Sequence, residues 1–548
     1  MPRERAIEAS LILIAACVLT LVMTWPFAPR ILTAGRTDSG DGRYSVWNVA
    51  WVAHQVVADP RHLYDANIFY PHRGALSFSE PNIGAGLLAV PFYWASGKNP
   101  HFAHNAVLLL AFVLALIGTF ALVRHLSGHR GAAAVAAAAF AFCPYVMSHL
   151  PHIQLLMTAG LPFSLLAMHR YVARPSIGRA LALGAILAAQ ALSCGYDGIY
   201  AGLLIAFGLV FYSVSRGHWR DWRFWANAGI AAAVSLAIVL PFFLPYIALN
   251  RDTGFSRSLD DARRLAATVR SYGVSSAWAH TWALRWLRPW TEVLYPGTIA
   301  LVLGFAGLWG LRRRHAPASG RDHVVWYALV VALACWASFG PSAGLYAWMF
   351  ATVPAFGWLS APARFGLIAV LGLAVLAGFA VSAWASRSRR PAMLGAVLVL
   401  VTGADLFVSP LGLVDPPAHS PVYATLAAMP DGVVAEFPFY YKRPDFHLHT
   451  RYMLSSTSHW KRLVNGYSDN IPMDFREMVT TIAEFPDPGS FALLQKLGVR
   501  YVVVHLDLYG DAAGTMTRLL RPYAGYLRPL QAAGPVTLSE IVRWPPAP

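Results

Sequence analysis

The chain has 548 residues, 57% of them hydrophobic and only 13% charged, with a formal net charge of +16. Its mean hydropathy is +0.47; soluble domains carry roughly 25% charged residues, so this composition excludes a soluble enzyme and points to repeated membrane crossing. The positive charge lies on short connections between apolar runs and not on one stripe of a soluble domain, which argues against nucleic acid as a partner.

The first apolar run, Ile7–Trp25, is long enough for a bilayer core of roughly 30 Å. It lacks the small-residue cleavage site of a signal peptide and is read as a retained anchor. The first loop, 26–101, opens on "GRTDSGDGRYSVWNVAW", which sets Asp38 and Asp41 among Gly35, Gly40 and Gly42. An Asx turn capping a helix that begins near Tyr44 accounts for one aspartate. Two such acids call for a chemical role, given first to Asp41. From Tyr44 to Val57 bulky residues recur at helical spacing, with Trp47 and Trp51 on one face. That run is too short and too polar to span, so an interfacial helix is expected. A second helix opens near Pro81, with Glu80 at the edge where the N-terminal dipole favours a carboxylate.

Further spans are expected at Phe102–Arg124, Ala132–Met147, Ile153–Tyr171, Ile177–Gly195, Ile199–Ser215, Ala226–Leu249, Thr298–Leu311, Val324–Gly340, Phe365–Ala385 and Met393–Leu413. A 19-residue window thus gives about eleven crossings. His149 and His152 flank Pro151, which breaks a helix there, and without a third ligand nearby they do not make a zinc site. Asp197 is explained by the turn before Ile199. In the loop 250–297, Arg257 stands beside Asp260 and Asp261, and Trp278, Trp282, Trp286 and Trp290 recur every fourth residue. That spacing predicts an amphipathic helix in the aromatic belt; the sharper reading is a platform for a sugar or lipid at Trp282 and Trp286. Arg364, in "SAPARFG", opens the Phe365–Ala385 span.

The connections Met1–Ala6, His125–Arg130, Val172–Ser176, Arg216–Trp225, Arg312–His323 and Ser386–Ala392 hold most of the arginines, Arg312, Arg313 and Arg314 among them. The positive-inside rule therefore places the N terminus in the cytoplasm, and the first loop, the loop 250–297 and the tail on the far side of the inner membrane. Arg364 and Arg257 then lie outward, against the trend. Cys17, Cys143, Cys194 and Cys335 lack CxxC spacing and read as small hydrophobes. The domain boundary is set at 413/414. The tail 414–548 reads as an α/β domain: "VVAEFPF" and "VRYVVVH" are buried strands, "FALLQKLG" is a helix stopped at Gly498, and Pro472 opens another helix. It carries no phosphate loop, metal-spaced cluster or nucleophile elbow.

An aspartate in the first outer loop, directly after span one and before a helix, resembles the GT-C superfamily of membrane glycosyltransferases. "GDGRYSVWNVAWVAHQV", "DANIFYPHRGALSFSEPNIGAGLLAVPFYW", "LSAPARFG" and "HWKRLVNGYSDNIP" look like uncharacterised bacterial proteins placed beside those enzymes by topology. The resemblance covers nearly the whole chain and implies a polytopic helical fold with a soluble α/β domain. It also implies that Asp41, with Asp38 second, is the base toward the acceptor, and that Glu80 is a further loop acid. The chain lacks the adjacent acidic pair of some members, so the resemblance carries over no metal ligands, although a divalent metal is compatible with it.

The chemistry agrees with this. Nucleotide sugars are cytosolic, so a donor on the far side comes on a lipid carrier, and its polyprenyl-phosphate leaving group needs no strong general acid. Such a site needs one carboxylate for the acceptor proton and cations for the phosphate, here Arg364, Arg257 and Arg43. Trp47 and Trp51 join Trp282 and Trp286 as candidate contacts for sugar or lipid. The competing class is a glycan-lipid carrier or flippase, or a non-catalytic envelope assembly factor. A carrier predicts repeated halves and mid-membrane charges, and the sequence shows neither clearly.

Overall fold

The computed structural model describes residues 2–253, 257–288, 291–308, 318–416 and 420–546. Trp290 and Arg312–Arg314, singled out in the sequence, lie outside the described residues. The helices in chain order are α1 (Pro2–Met23), α2 (Gly40–Ala58), α3 (Ile83–Ala95), α4 (Pro100–Ser127), α5 (Arg130–Ala141), α6 (Pro144–Ser148), α7 (Ile153–Leu156), α8 (Gly160–Ala173) and α9 (Ile177–Ser193). Then come α10 (Gly195–Ser215), α11 (Trp222–Thr253), α12 (Leu259–Arg264), α13 (Thr298–Leu308), α14 (Ala318–Ser338), α15 (Leu345–Thr352), α16 (Phe365–Ala385) and α17 (Pro391–Asp405). The tail folds as α18 (Val422–Ala428), β1 (Val433–Phe437), α19 (Thr450–Ser456), α20 (Met473–Ala483), α21 (Pro488–Lys496), β2 (Val499–His505), α22 (Ala513–Leu520), β3 (Leu527–Ala533) and β4 (Val536–Ile541).

The chain forms two units, Met1–Pro29 with Val107–Gly412, and Arg30–Ala106 with Leu413–Pro548. The first is a helical bundle. Its α16 is apolar all round and almost wholly buried, packed by α5, α13 and α14. Backbones approach closely there because α13 presents small residues: a Cβ on Gly307 would lie 2.1 Å from the Leu376 carbonyl oxygen, as in small-residue membrane helix packing. Among the described residues six helical segments are long and apolar enough to cross a membrane: Ala6–Met23, Pro100–Ser127, Arg130–Ser148, Gly195–Ser215, Trp222–Arg251 and Pro362–Ala385. Ile177–Ser193, Thr298–Leu308 and Pro391–Asp405 are apolar but shorter. The expected single span Ile153–Tyr171 is broken into α7 and α8. The protein is a polytopic helical membrane protein, and six of the about eleven expected spans meet that length and composition among the described residues.

The second unit joins the first loop to the tail and resumes at Leu413, beside the expected boundary at 413/414. Backbone bonds explain this: Tyr70 N–H donates to Leu463 O at 3.0 Å, Leu463 N–H to Asn67 O at 2.7 Å, and Gly35 bridges Val414. The tail sheet has the order β1-β2-β4-β3. The β-branched strands β1 and β2 pair in parallel, and β4 is antiparallel to both β2 and β3. Gly498, at φ +63°, ends the α21 segment as its sequence predicts. The β3–β4 hairpin turns at Gly534, φ +59°. Its core gathers Val422, Tyr423, Val434, Tyr452, Leu463, Val503 and Leu538.

Helix α2 departs from expectation. It is not a surface helix: residues 44–53 are all buried, and Gly86 of α3 packs so closely that a Cβ there would meet Val52 at 2.3 Å. Trp47, with no exposed surface, donates its indole N–H to Asn67 Oδ1 at 3.2 Å, and Trp51 donates to Leu63 O at 2.9 Å. Both belong to the core, so contact with sugar or lipid is not their role.

Candidate active site

In the loop–tail unit, α2 starts at Gly40, four residues before the expected Tyr44, and its cap is Ser39. The Ser39 backbone is extended (φ −99°, ψ 165°) and its Oγ accepts the Gly42 N–H at 3.1 Å, a regular N-cap. Neither aspartate caps the helix. Asp38 is exposed and pairs with Arg36 at 3.2 Å. Burial opposes that charge, but the Arg36 hydrogen bond and charge outweigh it and hold the Asp38 carboxyl below its ordinary range.

Asp41 sits in the first turn, exposed, where the helix dipole favours its ionised form. The glycines beside it are required by close approach. A Cβ on Gly42 would lie 1.8 Å from the Arg36 carbonyl oxygen, and one on Gly40 would lie 2.7 Å from His447 Cβ. The "GDG" run thus lets the loop fold tightly under the carboxylate.

Arg43 fixes the same turn, its Nη1 donating to Thr37 O at 2.9 Å and its Nε to Thr450 Oγ1 at 3.0 Å. Burial and the charge of Arg451 pull its pKa down, while Asp38, Asp41 and Tyr440 pull it up. Two guanidinium nitrogens are therefore committed to the fold, which leaves Arg43 a holder of the loop more than a ligand for phosphate.

Tyr467 completes this neighbourhood. Its ring meets Tyr44 edge-on at 6.3 Å. Burial, Asp41 and Asp469 all raise its pKa and keep the phenol protonated. Asp469 accepts from Ser79 Oγ at 3.1 Å. The next residue, Glu80, is half-buried, and its carbonyl oxygen accepts the Asn48 amide at 3.1 Å. Sequence reasoning missed Tyr467 and Asp469. "NGYSDN" carried the signal, an acid beside turn residues in a resembling motif, but no spacing tied it to "GDG".

In the bundle unit, Arg364 ends the short turn before α16. Its guanidinium lies over the Tyr196 ring at 4.2 Å, and the Tyr196 hydroxyl accepts the Ser360 N–H at 3.0 Å. Glu292 and Tyr145 act on Arg364 electrostatically. Glu292 faces His149 Nε2 at 3.0 Å. Burial opposes its ionisation, but the charges of His149, Arg364 and His152 prevail and hold its pKa below the ordinary value. His149 Nδ1 donates to Tyr145 O at 2.7 Å. His149, read as bland in the sequence, thus faces a carboxylate that also acts on Arg364. Asp197, assigned to a turn, is instead a buried first-turn residue of α10 whose cap position is Cys194.

Arg257 is half-buried, and its N–H donates to Gly357 O at 2.8 Å. Asp261 is taken up by a capping box with Ser258, and Asp260 pairs with Arg263. The tryptophan stripe is not an α-helix: Trp278–Trp286 is a 3-10 segment kinked at His280, so every-fourth spacing does not set one face. Trp282 and Trp286 meet edge-on at 5.5 Å, and Trp282 is 47% exposed. The segment is anchored by buried His280, which contacts Ser275 at 2.9 Å and Asp405 at 2.9 Å. Among the described residues no three His, Cys, Asp or Glu side chains gather as metal ligands.

In fold, the chain is a bundle of apolar helices together with a unit in which an acid-bearing first loop joins a carboxy-terminal α/β tail. The chain shares this GT-C fold with a solved structure. It is similar to the arabinofuranosyltransferase AftD from Mycobacteria (TM-score 0.59, 16% identity), covering 97% of this chain and 41% of that longer one. It is also similar to ArnT from Cupriavidus metallidurans (TM-score 0.42, 16% identity, 98% of each chain covered). A third neighbour is the oligosaccharyltransferase AglB from Archaeoglobus fulgidus, solved with an inhibitory peptide and a dolichol-phosphate (TM-score 0.49, 14% identity, 94% and 72% covered). No family model and no curated protein matches the sequence.

Proposed function

We propose that this protein is a membrane glycosyltransferase that moves a sugar from a polyprenyl-phosphate donor to an acceptor hydroxyl on the far side of the inner membrane. The observation that carries the reading is Asp41: an exposed carboxylate in the first turn of a helix whose cap is already made by Ser39. The fold, shared with an arabinofuranosyltransferase, supports it.

In this reaction Asp41 takes the acceptor hydroxyl proton as the acceptor oxygen bonds to the anomeric carbon. The bond from that carbon to the phosphate oxygen breaks, and the phosphate leaves with its electron pair. Arg364 is the cation for that phosphate, with Arg257 second; a guanidinium fork matches its oxygens. Trp282 and Trp286 offer surface for sugar or isoprenoid. Tyr467, which feels the charges of Asp41 and Asp469, and Glu80 belong to the same unit as Asp41. The two carboxylates Asp41 and Asp469 fall short of a protein metal cage, and no step here runs through a metal. The test is transfer from a labelled carrier lipid by Asp41→Asn protein. Full activity in that variant overturns the reading.

A further inference from the structure

At the other end of α10 from Tyr196 lies a polar cluster that the transfer reaction does not use. Tyr196, under Arg364, opens the helix, and Tyr212 follows sixteen residues later; at 1.5 Å per residue that is about 24 Å. A bilayer core is roughly 30 Å thick, so the two clusters stand at opposite membrane faces.

The cluster is built by α8, α10 and α14. His169 Nε2 bonds the Tyr327 hydroxyl at 3.0 Å, and the Tyr212 hydroxyl bonds His323 Nδ1 at 2.9 Å. The rings of His169 and His323 are 5.0 Å apart, and Trp326 lies 5.8 Å from His169. Arg216, which caps α10, sits over the Tyr212 ring at 5.1 Å. His169 is 3% exposed and Trp326 fully buried. Among the described residues His169 Nδ1 and the Trp326 indole nitrogen have no hydrogen-bond partner. A buried polar atom left so is unfavourable, and a bound group that paired with it would relieve that cost. His323 and Arg216 are only half-buried and form the mouth.

The cations bearing on the three histidines here are arginines: Arg216 acts on His169 and His323, and Arg170 and Arg179 act on His125. Asp322 acts on Tyr212. Unpartnered polar nitrogens beside one half-buried guanidinium suit an oxyanion, and Arg216 offers the fork that fits phosphate. We propose that His323, Arg216 and His169 form a phosphate-binding site at the arginine-rich membrane face, at the opposite end of α10 from Arg364. It takes the phosphate of an anionic lipid headgroup or a soluble phosphate. The inference does not rest on the transfer reading.

The experiment uses the full chain in nanodiscs of a phosphate-free galactolipid. In one arm, native mass spectrometry measures retention of phosphatidylglycerol against the galactolipid. In the other, inorganic phosphate alone is titrated while the melting midpoint is read. A headgroup site predicts selective phosphatidylglycerol retention, reduced about tenfold or more in Arg216→Ala. A soluble-phosphate site predicts a rise in midpoint that Arg216→Ala abolishes. His323→Phe should act as Arg216→Ala does, and Arg216→Lys should restore binding only partly. Arg216 is at the rim, so its variants should melt like wild type without ligand, and His323→Phe gives an independent reading if they do not. A wild type that responds in neither arm, or rim variants that match it in both, overturns the proposal.

Discussion

The Ser39 hydroxyl accepts the Gly42 N–H at 3.1 Å, and with that bond the cap of α2 is complete without an aspartate at the cap position. Cap and carboxylate can therefore be separated by mutation. Ser39→Ala should lower stability by about 1 kcal/mol and leave turnover per folded molecule near wild type. Asp41→Asn should keep the melting midpoint yet lower transfer by about 10²–10⁴-fold, the usual loss for a positioned base. Transfer from a labelled carrier lipid, beside thermal melting of both variants, checks this; equal activity losses in the two would show that only the turn matters.

Gly42→Ala should damage folding even though alanine favours helices. Its Cβ would meet the Arg36 carbonyl oxygen at 1.8 Å, against backbone that cannot yield cheaply. A loss of about 1–3 kcal/mol or more is expected for such overpacking. Limited proteolysis of the purified variant should show earlier cleavage in the 30–45 loop, and unchanged resistance would contradict the packing.

Arg364→Ala should weaken binding of a polyprenyl-phosphate analogue about tenfold or more, the equivalent of one lost charge-assisted contact. Lysine should recover part of this, because it keeps the charge and loses both the fork and the stacking on Tyr196. Isothermal titration in detergent provides the measurement. Wild-type affinity in Arg364→Ala would limit this residue to membrane anchoring.

The Glu292–His149 pair gives a pH signature. The Glu292 pKa is lowered in the folded protein, so its stabilisation is fully present above the ordinary glutamate value of about 4.3 and fades as pH falls through the lower folded value. Glu292→Gln should destabilise at neutral pH and flatten the acid side of the melting profile. Parallel profiles for the two proteins between pH 3 and about 6 would contradict this pairing.

Topology can be checked with single cysteines in a background lacking the four native ones. Thr33 and Ser386 are both exposed. A cysteine at Thr33 should react with an impermeant reagent from the far side, and one at Ser386 only after the membrane is opened. The reverse pattern would invert the arginine-based orientation.

Much of the fold was legible because its determinants are local. Apolar run length marked α1, α4, α10, α11 and α16, and β-branched runs marked β1 and β2. The failures share a cause in tertiary context. Trp47 and Trp51 have the spacing of a surface helix, but α3 and the tail cover them. The β3 segment "LRPLQAA" shows no strand alternation, and its pairing with β4 supplies what propensity does not. Asp41 and Arg364 were readable from local pattern, the one as an acid in a glycine-rich loop and the other as a charge at the head of an apolar run. Glu292 and His149 were not, since their meaning lies in a pairing across 143 positions that no local pattern encodes.

The bonds between Asn67 and the 456–463 stretch carry a consequence for biosynthesis. Asn67 Nδ2 donates to the Lys461 carbonyl oxygen, 394 positions further along the chain. At about 5–20 residues per second, the ribosome needs roughly 20–80 s to make that partner. Through that interval the strand-like edge at 67–70 lacks the backbone acceptors and donors it has in the finished protein. The newborn first loop is therefore a natural client for a chaperone, and a chain that stops before the tail leaves it permanently unfinished.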